Sequence, residues 1–129
     1  MDELISGAGA LGTALDDGAV ERFKCYLFEL KRWGEKMNLT GPVTDEEIVS
    51  RHFVDSLTLL PCLRALKSKK ILDIGSGAGF PGLPLKIAAP SLDITLLDSR
   101  EKRVFFLRHM IRALGLSEGI SVLKSRAES

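Results

Sequence analysis

The residues best placed to do chemistry are two acids and a cluster of glycines. Asp73 lies in the apolar run Ile71-Leu72-Asp73-Ile74, and Gly75, Gly77 and Gly79 follow at alternate positions before Phe80-Pro81-Gly82. A second apolar run, Ile94-Thr95-Leu96-Leu97, ends in Asp98. Glycines let a chain turn sharply and let a ligand rest against bare peptide groups. An acid at the end of the next strand can accept hydrogen bonds from ribose hydroxyls. Together they have the form of a nucleoside pocket at the carboxyl ends of adjacent parallel strands. The alternatives are a tight strand-to-helix turn without a ligand for the glycines, and a helix cap or first-turn charge for Asp98.

The spacing narrows the ligand. Phe80 stands where the third glycine of a dinucleotide fingerprint belongs, and no lysine followed by Ser or Thr closes a triphosphate loop. Phe80 and Pro81 also cover the place where a pyrophosphate would rest on a helix amino terminus. A ligand with a ribose but no phosphate fits better, and S-adenosylmethionine is the obvious candidate. Phe80 can pack on its methionine or adenine moiety, or serve as a core plug. Neither His52 nor His109 completes a catalytic constellation. His52 reads as a hydrogen-bonded structural residue and His109 as part of a solvated helix face, so no catalytic residue is assigned.

These groups need elements to hold them. From Lys70 the pattern alternates as strand 70–74, glycine loop, helix 82–89, strand 93–97, helix 100–114 and strand 120–124. Ser99 is positioned to cap the second helix and Gly115 to end it. Val104, Leu107, Ile111 and Leu114 form its inner stripe. Residues 1–65 read as a helical segment and 66–129 as the first βαβαβ part of an α/β domain, with right-handed crossovers giving a parallel sheet covered by helices. In the helical segment, the Gly- and Ala-rich residues 1–15 read as a poorly ordered or loosely helical lead-in. Asp16 or Asp17 caps a helix to about Met37 with Val20, Phe23, Leu27 and Leu30 inward and Trp33 as an anchor. Asn38-Leu39-Thr40-Gly41-Pro42 breaks it. Thr44 and Glu47 form a capping box for a helix with Ile48, Val49, Phe53, Leu57 and Leu60 inward, which Pro61 stops, leaving 63–70 as a basic connection.

Composition bounds the rest. The 129 residues are 45% apolar and 27% charged, ordinary for one compact domain. No apolar run approaches the ~20 residues of a membrane span, and no secretion signal is apparent. Cys25 and Cys62 have no metal-ligand spacing and read as reduced, packed thiols, so a cytoplasmic protein is expected and no metal site is. The net charge of +1 excludes a uniformly basic coat but not a local patch. Lys67, Lys69 and Lys70 with Arg100, Lys102, Arg103 and Arg108 could supply phosphate contacts, or merely solvate a surface. Arg51 either joins them or pairs with Asp55. Three parallel strands leave an exposed edge and a half-covered core, and the expectation is a truncated domain or one completed by another chain through oligomerisation or strand exchange.

Five blocks carry a resemblance: Asn38-Leu39-Thr40; Arg51-His52-Phe53-Val54-Asp55-Ser56-Leu57; Asp73 to Gly82; Thr95 to Ser99 with Lys102-Arg103; and Ser125-Arg126-Ala127-Glu128. Over roughly residues 20 to 129 the chain resembles the glucose-inhibited division protein B family, the bacterial 16S rRNA guanine-N7 methyltransferases. The resemblance implies a Rossmann-like class I methyltransferase fold, S-adenosylmethionine as methyl donor and 16S rRNA or the small ribosomal subunit as partner. It gives Gly75 and Phe80 as cofactor contacts, with Ala127 and Glu128 joining them after the third strand. Asp98 stands where class I methyltransferases usually bind the ribose diol. The family continues beyond this point with the remaining sheet and a further arginine at the pocket. A non-catalytic cofactor- or RNA-binding remnant is therefore the alternative to an active enzyme. Guanine N7 has a free lone pair and no proton to lose, so such a reaction needs no general base.

Overall fold

The computed structural model of the chain describes residues 1–37 and 44–125. The expected helix break at 38–42 and the Arg126-Ala127-Glu128 block lie outside them. Among the described residues, five α-helices and one π-helical segment precede the first strand: α1 (Asp2–Ala10), α2 (Asp17–Met37), α3 (Asp45–Glu47) leading into the π-helical segment (Ile48–Val54) and α4 (Asp55–Leu57), then α5 (Leu60–Leu66). The alternating half follows as β1 (Lys70–Ile74), α6 (Gly82–Ala88), β2 (Asp93–Asp98), α7 (Glu101–Ala113) and β3 (Ile120–Lys124). The strands form one parallel sheet in the order β1-β2-β3. No helix among the described residues is long and apolar enough to cross a membrane.

The helical segment is more ordered at its start than its composition suggests. Leu4 and Ala8 of α1 are fully buried, and a Cβ on Gly7 would stand 2.9 Å from Val54 Cγ1. The small residues permit close packing of α1 on the π segment, where the sequence reading expected looseness. Arg64 fixes the end of α1, donating from Nη1 to Gly12 O and Thr13 Oγ1, both at 3.2 Å, and from Nη2 to Leu11 O. Its guanidinium thereby satisfies carbonyls that a helix terminus leaves free.

Helix α2 starts where Asp16 Oδ1 accepts from Ala19 N at 2.7 Å. Its buried stripe runs through Ala19, Phe23, Tyr26 and Leu30, while Val20 and Leu27 lie only half-buried at its margins. Thr44 caps α3, accepting from Glu47 N at 3.2 Å. Ile48, Val49, Phe53, Leu57 and Leu60 are all buried, as their spacing predicts. The run is not one helix, however. Its middle is π-helical, and Pro61 opens α5 instead of ending the helix before it. A proline in the first helical turn withholds only an N–H that would have no partner there anyway, so the basic connection shrinks to Lys67–Lys69.

In the sheet half, one face carries Asp73, Ile94, Leu96 and Val122, all buried. The opposite face carries Leu72, Ile74 and Leu123, which are 56%, 57% and 53% exposed. Helices therefore cover one face, leaving the half-covered core that three parallel strands imply. Two consecutive right-handed crossovers in the order β1-β2-β3 put α6 and α7 on the same side. A Cβ on Gly82 would run into Leu96 Cδ2 and approach Asp73 Oδ2 to 2.9 Å, so α6 can sit this close to the sheet only with glycine there. Arg22 Nε of α2 donates to Leu114 O at the end of α7, 3.0 Å away. Gly115, at φ +69°, ends α7 as expected. The buried Lys86 ammonium donates to Pro90 O and Leu92 O, both at 2.6 Å, tying down the turn after α6. Burial lowers its pKa, against the raising influence of Asp93 and Glu118.

Candidate functional site

The glycine loop joins β1 to α6 beside the carboxyl end of β2. Gly75 N and Ser76 N both donate to Leu97 O, at 2.7 and 3.2 Å, which hooks the loop onto the second strand. Gly77 N donates to Asp98 Oδ2 at 2.9 Å, while Asp98 Oδ1 accepts from Arg100 N at 2.9 Å. Asp73 Oδ2 accepts from Gly82 N at 3.0 Å, and Ser76 Oγ donates to Asp73 O at 2.9 Å. The two acids thus rivet the loop from adjacent strands. Both are buried, with 6% and 4% exposure.

This arrangement has electrostatic consequences. Burial raises the Asp73 carboxyl above its ordinary value, hydrogen bonding from Gly82 and Ser76 pulls it back, and the charge of Asp98 adds a smaller upward push. Asp73 also fills the amino end of α6, so no free N–H at Gly82 invites a pyrophosphate. At the start of α7, Arg100 stands at the N-cap with no side-chain capping bond, and its own N–H is held by Asp98. Ser99 is not the cap its position suggested, because the helix begins at Glu101 and places Arg100 at the N-cap.

Gly75 and Gly79 have different reasons to be glycine. Gly75 adopts φ +72° with nothing within 4 Å of where a Cβ would stand, so it offers open backbone. Gly79, at φ +102°, would push a Cβ to 2.5 Å from Leu83 Cδ1 and 2.6 Å from the Tyr26 hydroxyl. Gly77 lies between them, and Arg103 Nη1 stands 3.7 Å from its missing Cβ. One of the expected basic residues therefore reaches the loop itself.

Tyr26 is the functional-site residue the sequence did not single out. Its hydroxyl donates to Ala78 O at 2.5 Å, holding the loop from α2, and it is fully buried. Burial, with help from Asp73, raises its pKa well above 10.0. The available signal was its place on the α2 stripe, at helical spacing from Phe23 and Leu30. Phe80 is half-buried. Its ring lies 5.7 Å from Tyr26, 6.1 Å from Phe53 and 4.7 Å from His52, nearly parallel to the last at 8°. His52 is therefore a stacking partner of Phe80, and its ring makes no hydrogen bond among the described residues.

The other sequence-level candidates are dispersed. His109 is not on a solvated face. Its Nε2 lies 3.1 Å from Glu29 Oε2 and its ring 5.2 Å from Trp33, because Trp33 anchors α2 against α7 at that point. Cys62 is exposed, since α5 turns it outward, and Cys25 is half-buried against Ala113 O at 3.8 Å. Arg51 pairs at 4.0 Å with Glu47, one turn back, and not with Asp55. Lys67, Lys69, Lys70, Arg100 and Lys102 are exposed and make no ion pair among the described residues. Ala127 and Glu128 lie outside the described residues. The chain enters that block from Ser125, whose N–H donates to Asp98 O at 3.0 Å.

Comparison with known proteins bears on the same region. A family model, GidB, described as rRNA small subunit methyltransferase G, matches residues 19–129. A protein of Acetivibrio thermocellus is 46% identical over 125 residues, covering 97% of this chain and 51% of that protein. One from Desulfotalea psychrophila is 48% identical over 128 residues, 98% of this chain and 58% of that protein. One from Caldanaerobacter subterraneus is 43% identical over 128 residues, 99% and 53%. All three carry the name ribosomal RNA small subunit methyltransferase G. The chain spans about half the length of these curated relatives.

Proposed function

Because this chain belongs to the GidB family, we propose that it forms the donor-binding part of a methyltransferase that modifies N7 of a guanine in 16S rRNA. The observation that carries the reading is the glycine loop. It presents the open backbone of Gly75 while Asp98 holds the loop at Gly77 and Asp73 holds it at Gly82, closing the amino terminus of α6 to phosphate. That cradle suits a phosphate-free nucleoside, and S-adenosylmethionine, when bound, supplies an electrophilic methyl group on a sulfonium.

The chain's own residues would divide the work. Gly75, Gly77 and Gly79 hold the loop in its turn and bring bare peptide groups against the ligand. Asp98 keeps a second lone pair on each carboxylate oxygen, so it can accept from a ribose hydroxyl while holding Gly77. Phe80 packs on the methionine or adenine moiety, and Ala127 and Glu128 complete the adenine side. No residue needs to move a proton, since the acceptor nitrogen carries none. Catalysis would rest on alignment in a water-poor pocket. Lys67, Lys69, Lys70, Arg100, Lys102, Arg103 and Arg108 would give salt-sensitive phosphate contacts to the rRNA.

Calorimetry with S-adenosylmethionine tests the reading. Saturable heat is expected from the unaltered chain and none from Gly77→Val, whose side chain would strain the loop at φ +55° and crowd Arg103. Absence of heat from the unaltered chain at high ligand concentration would sink the donor reading for this chain.

A further inference from the structure

Next to the glycine loop, on the side of Phe80 and Pro81, the π segment and α4 wall a cleft of about 280 Å³. Pockets for drug-sized ligands span roughly 300–1,000 Å³, so a cleft at the bottom of that range suits a single base better than a whole nucleotide. Its apolar wall is the stacked pair His52–Phe80, both half-buried, with Leu59 on the rim at 43% exposure.

Its polar groups are few and differ in availability. Two hydroxyls of the cleft are already committed to main-chain carbonyls: Ser56 Oγ donates to His52 O and Thr58 Oγ1 to Asp55 O, both at 2.5 Å. The Asp55 carboxylate, in contrast, makes no hydrogen bond or ion pair among the described residues. Arg51 stands at the same cleft, 77% exposed, and its one ion pair among the described residues is the 4.0 Å contact with Glu47. Among the described residues the cleft therefore offers an aromatic platform, the unpaired two-oxygen acceptor of Asp55 and the cation of Arg51.

An ionised carboxylate can only accept, and its two oxygens pair best with two adjacent donors. Among the four RNA bases, guanine alone presents such a pair, N1–H and the 2-amino group on one edge. Adenine and cytosine offer only one amino group there, and uracil only one imide N–H. Extruded bases are read in this way, by stacking on aromatic side chains and hydrogen bonds to the Watson–Crick edge. A guanine held by that edge leaves N7, on its opposite side, unobstructed.

We propose that this cleft is the acceptor-base subsite. The guanine stacks on the His52–Phe80 pair, Asp55 accepts from its N1–H and 2-amino group, and Arg51 contacts a neighbouring phosphate. This assignment rests on the methyl-transfer reading for its purpose, but the recognition chemistry can be measured without it. Phe80 would then stand between the two pockets, which gives the loop residue a place in both.

The probes are GMP, AMP, CMP, UMP and IMP, titrated into the whole 129-residue chain while the ring resonances of His52 and Phe80 are followed by NMR. GMP should shift both rings and bind roughly tenfold more tightly than AMP, CMP or UMP, the scale of one bidentate contact. IMP, which lacks the 2-amino group, should bind several-fold more weakly than GMP. Asp55→Asn, an exposed and isosteric change, should abolish the preference for GMP. Equal binding of all five nucleotides, no shift with GMP, or an undiminished preference in Asp55→Asn would each overturn the proposal. The comparison of GMP with IMP uses the unaltered chain and decides even if the variant fails to fold. S-adenosylmethionine is titrated separately. Its displacing GMP from His52 would reassign the cleft to the donor and overturn the subsite. Its failing to bind while GMP passes would remove the donor reading and leave the guanine site standing.

Discussion

Gly75 and Gly79 share a left-handed backbone and differ in what surrounds them, which makes them a test of the loop at single-residue scale. Alanine at either position meets the backbone cost of about 1–2 kcal/mol for a non-glycine residue in that region. At Gly79 the added methyl also runs into Leu83 and Tyr26, and overpacking adds roughly 1–3 kcal/mol. Urea unfolding should therefore rank Gly79→Ala well below Gly75→Ala, and equal losses would contradict the loop geometry. Gly75→Ala should instead fold and lose affinity for S-adenosylmethionine in calorimetry. Asp73 gives a second residue-scale test. Its pKa is raised in the folded protein, so folding favours its protonated form. The corresponding stabilisation is fully present below the ordinary value of 3.8 and is lost as pH rises through the raised value. Asp73→Asn should flatten that segment of the stability–pH curve, measured by urea titrations at a series of pH values. An unchanged slope would mean that Asp73 titrates as if exposed.

At the scale of elements, the most consequential difference from expectation is α1. Leu4 and Ala8 are fully buried and Gly7 lets the helix approach Val54, so Leu4→Ala should destabilise the chain by about 2–5 kcal/mol in urea unfolding. A loose lead-in would lose almost nothing. The contrast shows what was legible and what was not. Strands 70–74 and 120–124 and the helices between them could be read because short apolar runs bounded by Gly, Pro and Ser carry their own period. Small residues in α1 carry no such mark: the same Gly and Ala serve a disordered tail or a close helix contact, and only the partner at Val54 distinguishes them. The π segment was equally hidden, since its buried positions, Ile48, Val49 and Phe53, fit a helical stripe whichever way the turns are wound. In the site, the loop and both acids could be read from local order. Tyr26 reaches Ala78 across 52 positions of chain, and no local pattern announces a contact of that range. The inward turn of the Asp98 carboxylate onto Gly77 and Arg100 was hidden for the same reason: it depends on where β2 ends relative to the neighbouring loop.

On the scale of the whole molecule, the asymmetry of the sheet decides how the chain behaves in solution. Register aligns Ile74 with Leu97 and Leu97 with Leu123, so the uncovered face is a row of apolar side chains across all three strands. Leu97 at its centre is only 8% exposed, whereas its neighbours Ile74 and Leu123 are more than half exposed. A face of this kind, bordered by strands with unpaired outer edges, promotes self-association. The same exposure means that these side chains contribute little to the stability of the single chain. Replacing Leu72, Ile74 and Leu123 together by lysine should change the unfolding free energy of the dilute chain by no more than about 0.5 kcal/mol per site. Leu96→Ala, on the covered face, should cost about 2–5 kcal/mol. Sedimentation should show concentration-dependent association of the unaltered chain and a monomer for the triple variant. If the lysines unfolded the chain, the face would have to be buried even in the dilute protein, and the one-sided sheet would be wrong. If instead they removed association and spared calorimetric binding of S-adenosylmethionine, the donor pocket would be a property of the covered side alone. Asp73, Gly82 and the glycine loop would then hold their geometry without anything packed on the other face.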